Sequence, residues 1–366
     1  MMGGFFCATC GWNEKGRITL TFSMNESYIL DILGKLLNTP SPSGYCQKIM
    51  KTVQEEAENL GYTFVLTNKG CGIITIPGQS GSRTIGVSGH VDTLGAMVRS
   101  VTSSGRLKLT SVGGFMMGAI ENEYCKIHTR GGQIYEGTIL TIEPSVHVFP
   151  KSRELERVEK NMEVRLDELV HSKEDVETLG IRTGDFISFD PRVVIRENGF
   201  IKSRHLDDKA SMAAIFGLLE LFKRQDIKPA YTVKVIITTY EEVGHGASYL
   251  PSDVNELIAV DMGAVGDDLN CTEQDVSICA KDSSGPYDYH MTSKMIELAE
   301  GLGIRFAVDI YPHYNSDASA ALRGGQNIRA ALIGPGVHAS HGMERTHKEA
   351  VVNTAILLAA YLTDPA

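Results

Sequence analysis

The sequence predicts an α/β protein built on a largely parallel sheet, with a small β-rich unit inserted into it. Two observations carry this. Short apolar runs rich in β-branched residues alternate with stretches of helical periodicity, the pattern of a sheet wrapped by helices. From about residue 96 to residue 200 that alternation stops, and short β-like runs separated by glycines replace it. At 366 residues the chain also exceeds the usual size of one domain. We therefore expect residues 1–23 to be a disordered extension, residues 24–95 and 201–366 to form the α/β domain, and residues 96–200 to form the insert.

Taken in order, Asn25 is placed to cap a helix whose apolar positions Ile29, Leu30, Ile32, Leu33, Leu36 and Leu37 keep helical spacing. The Thr39-Pro-Ser-Pro-Ser-Gly44 stretch ends it, and a second helix is expected over 45–60, stopping at Gly61. Asn68-Lys-Gly70 separates two short runs, 63–66 and 72–76, as a hairpin turn would. Apolar strands are expected over 84–88, 231–239, 257–260 and 327–333, the last closing in a Gly334-Pro335-Gly336 turn. Helices are expected over 209–224, 287–302 and 346–362. Within the insert the β-like runs are 106–110, 126–129, 138–142 and 186–189, and the charge-dense stretch 151–173 reads as a solvated helix or loop.

Composition narrows the function classes. A formal net charge of −10 argues against a nucleic-acid surface, which needs a basic footprint. No apolar run approaches the roughly 20 residues that span a bilayer, so no membrane partner is expected. The seven cysteines are odd in number and scattered, which reads as reduced thiols of a cytoplasmic protein. Cys7 and Cys10 have redox or zinc spacing, but no second Cys or His pair follows nearby. Residues 3–12 are apolar and small without a basic leader, so a signal peptide is not expected.

Polar residues at strand ends are where ligands sit in parallel sheets. His90 and Asp92 follow the first such strand, a spacing that lets a carboxylate orient a ligating imidazole. Asp207 and Asp208 open a helix; alone they read as acids favoured by the helix dipole, yet a carboxylate there can also bridge two cations. Glu241 and Glu242 follow an apolar strand, and their mutual repulsion is tolerable in a buried setting only with metal or protons to offset it. One can ligate while its neighbour takes a proton from water. Asp261 follows another strand, and His338, His341 and His347 follow the last, leaving the histidine ligand open among them. Imidazole and carboxylate donors without cysteine point to a catalytic site for Zn, Co or Mn. No Gly-x-Ser-x-Gly elbow and no phosphate-binding glycine loop is present. Adjacent glutamates are also badly placed for the two carboxyls of a glycosidase.

The set Gly89-His90-Val-Asp92, Leu206-Asp207-Asp208-Lys209, Glu241-Glu242-Val-Gly244, Ala259-Val-Asp261 and a late His resembles the tetrahedral (glutamyl and deblocking) aminopeptidases, metallopeptidases sometimes labelled endoglucanase or cellulase. The resemblance runs from Met24 almost to the end of the chain. It implies two divalent cations per subunit, with His90 and Asp261 on one, Glu242 and the late His on the other, and Asp207 bridging. It further implies Glu241 as general base, Asp92 as support for His90, peptide substrates with a free N-terminus, and a barrel-like insert that mediates dimerisation, with dimers often building a twelve-subunit particle. Many members carry His-Ser-Pro-x-Glu where this chain has His341-Gly-Met-Glu344; counting from the preceding strand makes His341 the ligand, with His347 the alternative. Asn315-Ser316-Asp317 is similar to the family's Thr-Asp element, which makes Asp317 a candidate support for the site. The competing readings are a two-metal deacylase or amidase acting on small N-acyl compounds, and a non-catalytic assembly protein.

Overall fold

The computed structural model describes residues 22–365, together with a pairing of the short strands Gly11–Trp12 and Ile18–Thr19. The expectation of disorder over 1–23 thus falls almost wholly outside the described residues, as do Cys7 and Cys10.

Asn25 caps the helix Glu26–Leu37 by accepting the Tyr28 N–H, and Ile29, Ile32, Leu33, Leu36 and Leu37 turn inward. A second helix, Gln47–Asn59, follows it. These residues meet the helix Leu206–Arg224, buried from Leu206 to Phe222 and lying at the centre of the main core. Such burial on all sides needs an apolar surface all round, and Ala, Leu, Ile, Met and Phe supply it. Phe64–Leu66 and Gly72–Ile76 form the hairpin read from the sequence.

Four strands make the parallel spine of the large sheet. Tyr231–Thr238 lies beside Ser80–His90, which lies beside Glu256–Val260, which lies beside Arg329–His338. The register sets Thr238 opposite His90 and Ala259 opposite Ser88. The chain therefore leaves neighbouring strands at one level, delivering His90, Glu241 and Asp261 to the same edge. Antiparallel neighbours flank the spine, Gly72–Ile76 on one side and Val276–Asp282 on the other.

The Gly334-Pro335-Gly336 turn expected from sequence is instead the middle of the strand Arg329–His338. This strand pairs with Glu256–Val260 through Ile333, then with Gly263–Val265 from Gly336 onward. A Cβ on Gly334 would lie 1.9 Å from the Asp261 carbonyl oxygen, and one on Gly336 would lie 2.0 Å from that of Thr272. The glycines permit close backbone approach rather than reversal.

The insert closes into a six-stranded barrel, in the spatial order Met162–Leu166, Leu107–Val112, Gly95–Val101, Phe186–Phe189, Tyr124–His128 and Ile134–Thr141. It has a core of its own, which includes Val98, Leu107, Leu109, Ile127, Ile139, Val164 and Ile187. The strand Met162–Leu166 corrects the reading of 151–173 as a helix or loop. Met162, Val164 and Leu166 are buried while Glu163 and Arg165 alternate with them, so the flanking charges hid a period of two. Among the described residues no helix is long and apolar enough to cross a membrane.

Two outcomes follow from these contacts. Gly334→Ala forces backbone atoms apart beneath Asp261, and overpacking of this kind costs about 1–3 kcal/mol or more; a thermal scan should show a midpoint several degrees lower. His128 is buried on the barrel, with Nε2 against the Ser188 hydroxyl at 2.8 Å, and burial together with Lys126 and Lys48 pulls its pKa down to about 4. The unfolded chain takes up that proton first, so the stability it contributes is present above the ordinary imidazole pKa of about 6.5 and is lost as pH falls from there toward 4. Denaturant titrations over that range should give a shallower acid loss for His128→Asn than for the parent.

Candidate metal centre

The edge where the parallel strands end gathers His90, Asp92, Asp207, Asp208, Glu241, Glu242, Asp261 and His341. His90 closes the strand Ser80–His90, with its ring 1% exposed. A carbonyl oxygen only accepts, so the 2.9 Å contact of His90 Nδ1 with the Asp92 main-chain carbonyl makes Nδ1 the donor. Nε2 is left to face Asp207 Oδ1 at 3.1 Å and Glu241 Oε2 at 3.8 Å. His341 is arranged the same way: Nδ1 donates to the Gly114 carbonyl, and Nε2 lies 3.4 Å from both Asp207 Oδ2 and Glu242 Oε2.

The Asp92 side chain does something the sequence did not suggest. Its Oδ1 is 3.5 Å from His90 Nδ1, farther than the main-chain carbonyl, while the carboxylate accepts the N–H groups of Glu241 at 3.1 Å and Glu242 at 3.3 Å. The Ser43 hydroxyl donates to it at 2.5 Å. Asp92 thus clamps the chain where the two glutamates leave their strand. Asp317 clamps the next segment: its two oxygens accept the Thr238 hydroxyl at 2.6 Å and the Ala247 N–H at 2.8 Å. A Cβ on Gly246 would lie 2.2 Å from Asp317 Oδ1, so glycine is required there.

Asp207 and Asp208 sit at the start of the long helix with non-helical dihedrals. Asp208 Oδ2 accepts the His90 N–H at 3.2 Å, whereas Oδ1 is buried with no hydrogen-bond partner. The sequence leaves open which of the adjacent Asp207 and Asp208 faces a cation, and the carboxylates of both face the cluster. Glu344 was seen only as a neighbour of His341. Buried at the strand Glu344–His347, it accepts the N–H of Asp207 at 3.0 Å and that of His341 at 3.0 Å, one on each oxygen. Nothing in the local sequence shows such a link across 137 positions. His347 lies apart: Nδ1 caps the last helix by accepting the Glu349 N–H, and Nε2 donates to Asn198 O.

The electrostatics are those of crowded, buried acids. Burial first, then neighbouring carboxylates, raises Asp208 and Glu242 well above the ordinary range, and pushes Asp261 up to about 7 and Glu344 up to about 8. Burial also raises Glu241 strongly, with Asp261 adding to it. Asp207 goes down despite its burial, because His341 and His90 bond to it. Burial lowers His341, but Asp207 and Glu242 outweigh that and leave it at about 10. Such crowding favours bound protons or cations. His90, Asp208 and Asp261 offer ligand atoms within 4.8 Å of one another, and so do His90, Asp207 and Glu242. Two inward-facing imidazoles, each locked by a carbonyl on its other nitrogen, and an orphaned Asp208 oxygen fit divalent metal.

The sequence profile of the M42 glutamyl aminopeptidases matches residues 70–357. The chain belongs to the M42 glutamyl aminopeptidase family. It is 46% identical over 337 residues to the Bacillus subtilis (strain 168) protein named "Putative aminopeptidase YhfE", covering 92% of this chain and 97% of that one. Its fold is similar to that of the TET aminopeptidase from the marine sediment archaeon Thaumarchaeota archaeon SCGC AB-539-E09. There the TM-score is 0.83 at 19% identity, over 92% of this chain and 96% of the other. It is similar also to the Pyrococcus horikoshii TET1 peptidase, which can assemble into a tetrahedron or a large octahedral shell. That TM-score is 0.80 at 21% identity, over 92% and 99% of the two chains. As an M42 chain it is a hydrolase, a metal-dependent aminopeptidase.

Glu344→Ala should strip the acceptor from two buried N–H groups, at about 1–3 kcal/mol for each, and loosen two candidate ligands, Asp207 and His341, at once. Calorimetric titration of the apoprotein with Zn²⁺ should show weakened binding, with Glu344→Gln, which keeps one acceptor, lying between.

Proposed function

We propose that this M42 chain removes single N-terminal residues from peptides with a free α-amine, using two divalent cations. His90, Asp208 and Asp261 would hold one and Glu242 and His341 the other, with Asp207 shared between them. Mixed imidazole and carboxylate donors suit Zn best, with Co or Mn as alternatives. The cations would supply Lewis-acid charge at the scissile carbonyl and lower the pKa of a water.

The observation that carries the reading is the place of Glu241. Its carboxylate belongs to neither of the two ligand groups, keeps 13% of its side-chain surface exposed, and is tethered by its own N–H to Asp92. It is a carboxylate beside the proposed ligands and outside both groups, and burial, with Asp261 adding to it, raises its pKa. Glu241 accepts the proton of the water whose oxygen attacks the peptide carbonyl carbon. It then delivers that proton to the amine nitrogen as the C–N bond breaks. Asp92 keeps Glu241 and Glu242 in register, so that base and ligand cannot exchange places. The same reading takes residues 24–95 and 201–366 as the catalytic unit, residues 96–200 as the unit for self-association, and the cytoplasm as the place of action.

Glu241→Gln keeps the shape and removes the basic oxygen. Turnover of aminoacyl p-nitroanilides should fall roughly 10²–10⁴-fold with metal content unchanged; undiminished hydrolysis would sink the assignment. Peptides blocked by N-acetylation should be left intact, whereas their cleavage would favour a deacylase.

A further inference from the structure

The two histidines of the centre are held very differently. His90 ends a central strand and is locked by a carbonyl two residues away in its own domain. His341 lies in the short loop between Arg329–His338 and Glu344–His347, its side chain 39% exposed, with Ala339 and His341 itself at φ of +59° and +62°. Its Nδ1 is fixed by Gly114, which belongs to the segment that leaves the barrel strand Leu107–Val112.

We propose that the barrel acts as a positioning element for one cation: the Gly114 carbonyl and an Arg204 bridge fix His341, so the seat of the barrel on the catalytic domain sets the affinity of the position formed by Asp207, Glu242 and His341. The inference rests on the two-cation reading above. Three contacts carry it. Gly113 turns at φ +81°, and a Cβ there would lie 2.5 Å from Leu94 Cδ2 and in ordinary contact, 3.5 Å, with Glu242 O, so the barrel segment runs beside the backbone of a second group of this position. Arg204, buried three residues before Asp207, donates to the Ala119 carbonyl in the barrel and to the Gly342 carbonyl beside His341. It also pairs with the barrel residue Glu123 at 3.1 Å. No comparable barrel contact reaches the ring of His90 among the described residues. Displacing the barrel would thus release one imidazole and leave the other in place.

The test is calorimetric titration of apoprotein with Zn²⁺, with metal content after dialysis as a second readout. Gly113→Val puts a β-branched side chain where φ is positive, moving the Gly114 carbonyl. Arg204→Met keeps the buried stem and removes the bridge; it carries the test if Gly113→Val does not fold. Val164→Ala, a hole in the barrel core, controls for general loosening. In either test variant one of the two binding steps should lose roughly 10–100-fold in affinity, the range for removing a group that orients a ligating histidine, with the other step unchanged. The inference is overturned if both steps stay as in the parent, if both weaken together, or if Val164→Ala at a matched thermal midpoint weakens that same step alone. A parent protein that binds fewer than two Zn²⁺ would instead overturn the two-cation reading, and this inference with it.

Discussion

Mutual repulsion among buried carboxylates is the constraint on which the rest of this structure depends. Asp207, Asp208, Glu241, Glu242, Asp261 and Glu344 are drawn to one sheet edge, most of them with little or no access to water. Desolvation of so many acids is unfavourable by several kcal/mol per ion unless opposite charge or hydrogen-bond donors offset it. The chain offers two imidazoles, held by main-chain carbonyls, and a set of backbone N–H groups, held by acids that serve as acceptors. Asp92, Asp317 and Glu344 are in this sense scaffolding: each uses a carboxylate to fix main chain, and each fixes a segment that carries a candidate ligand or the candidate base.

That division of labour explains what could be read in the sequence. His90, Asp207, Glu241, Glu242 and Asp261 stand at strand ends or a helix start, positions that the strand and helix pattern marks, whereas His341 stands out among three late histidines only through the resemblance. Asp208 was not singled out because two adjacent acids at a helix start are equivalent in sequence, and only the backbone dihedrals there turn both toward the cluster. Glu344 was hidden because its partners are N–H groups, which every residue has, brought near by tertiary structure alone. His347 had the right chemistry, but a helix cap and the Asn198 carbonyl occupy its two nitrogens.

The same logic governs the fold. The four spine strands and the long central helix are apolar enough to be seen from composition along the chain. Gly334-Pro335-Gly336 misled because glycine and proline usually break strands. Here they let the strand pass close to Asp261 and Thr272 while it changes partner from Glu256–Val260 to Gly263–Val265. The barrel strand Met162–Leu166 misled for the opposite reason: its alternation is regular but set in a charged stretch that dominates any window average.

The Glu344 clamp has a consequence for the order in which the molecule comes into being. On a ribosome, His90 emerges 117 residues before Asp207, and Asp207 emerges 137 residues before Glu344. Contacts so distant in sequence form late, after loop closure has been met by other means. The barrel, contained between residues 95 and 189, can close while the acids still stand apart in water. The contacts of Glu344 with Asp207 and His341 therefore join the acidic edge only after the strands that carry the other acids have been made.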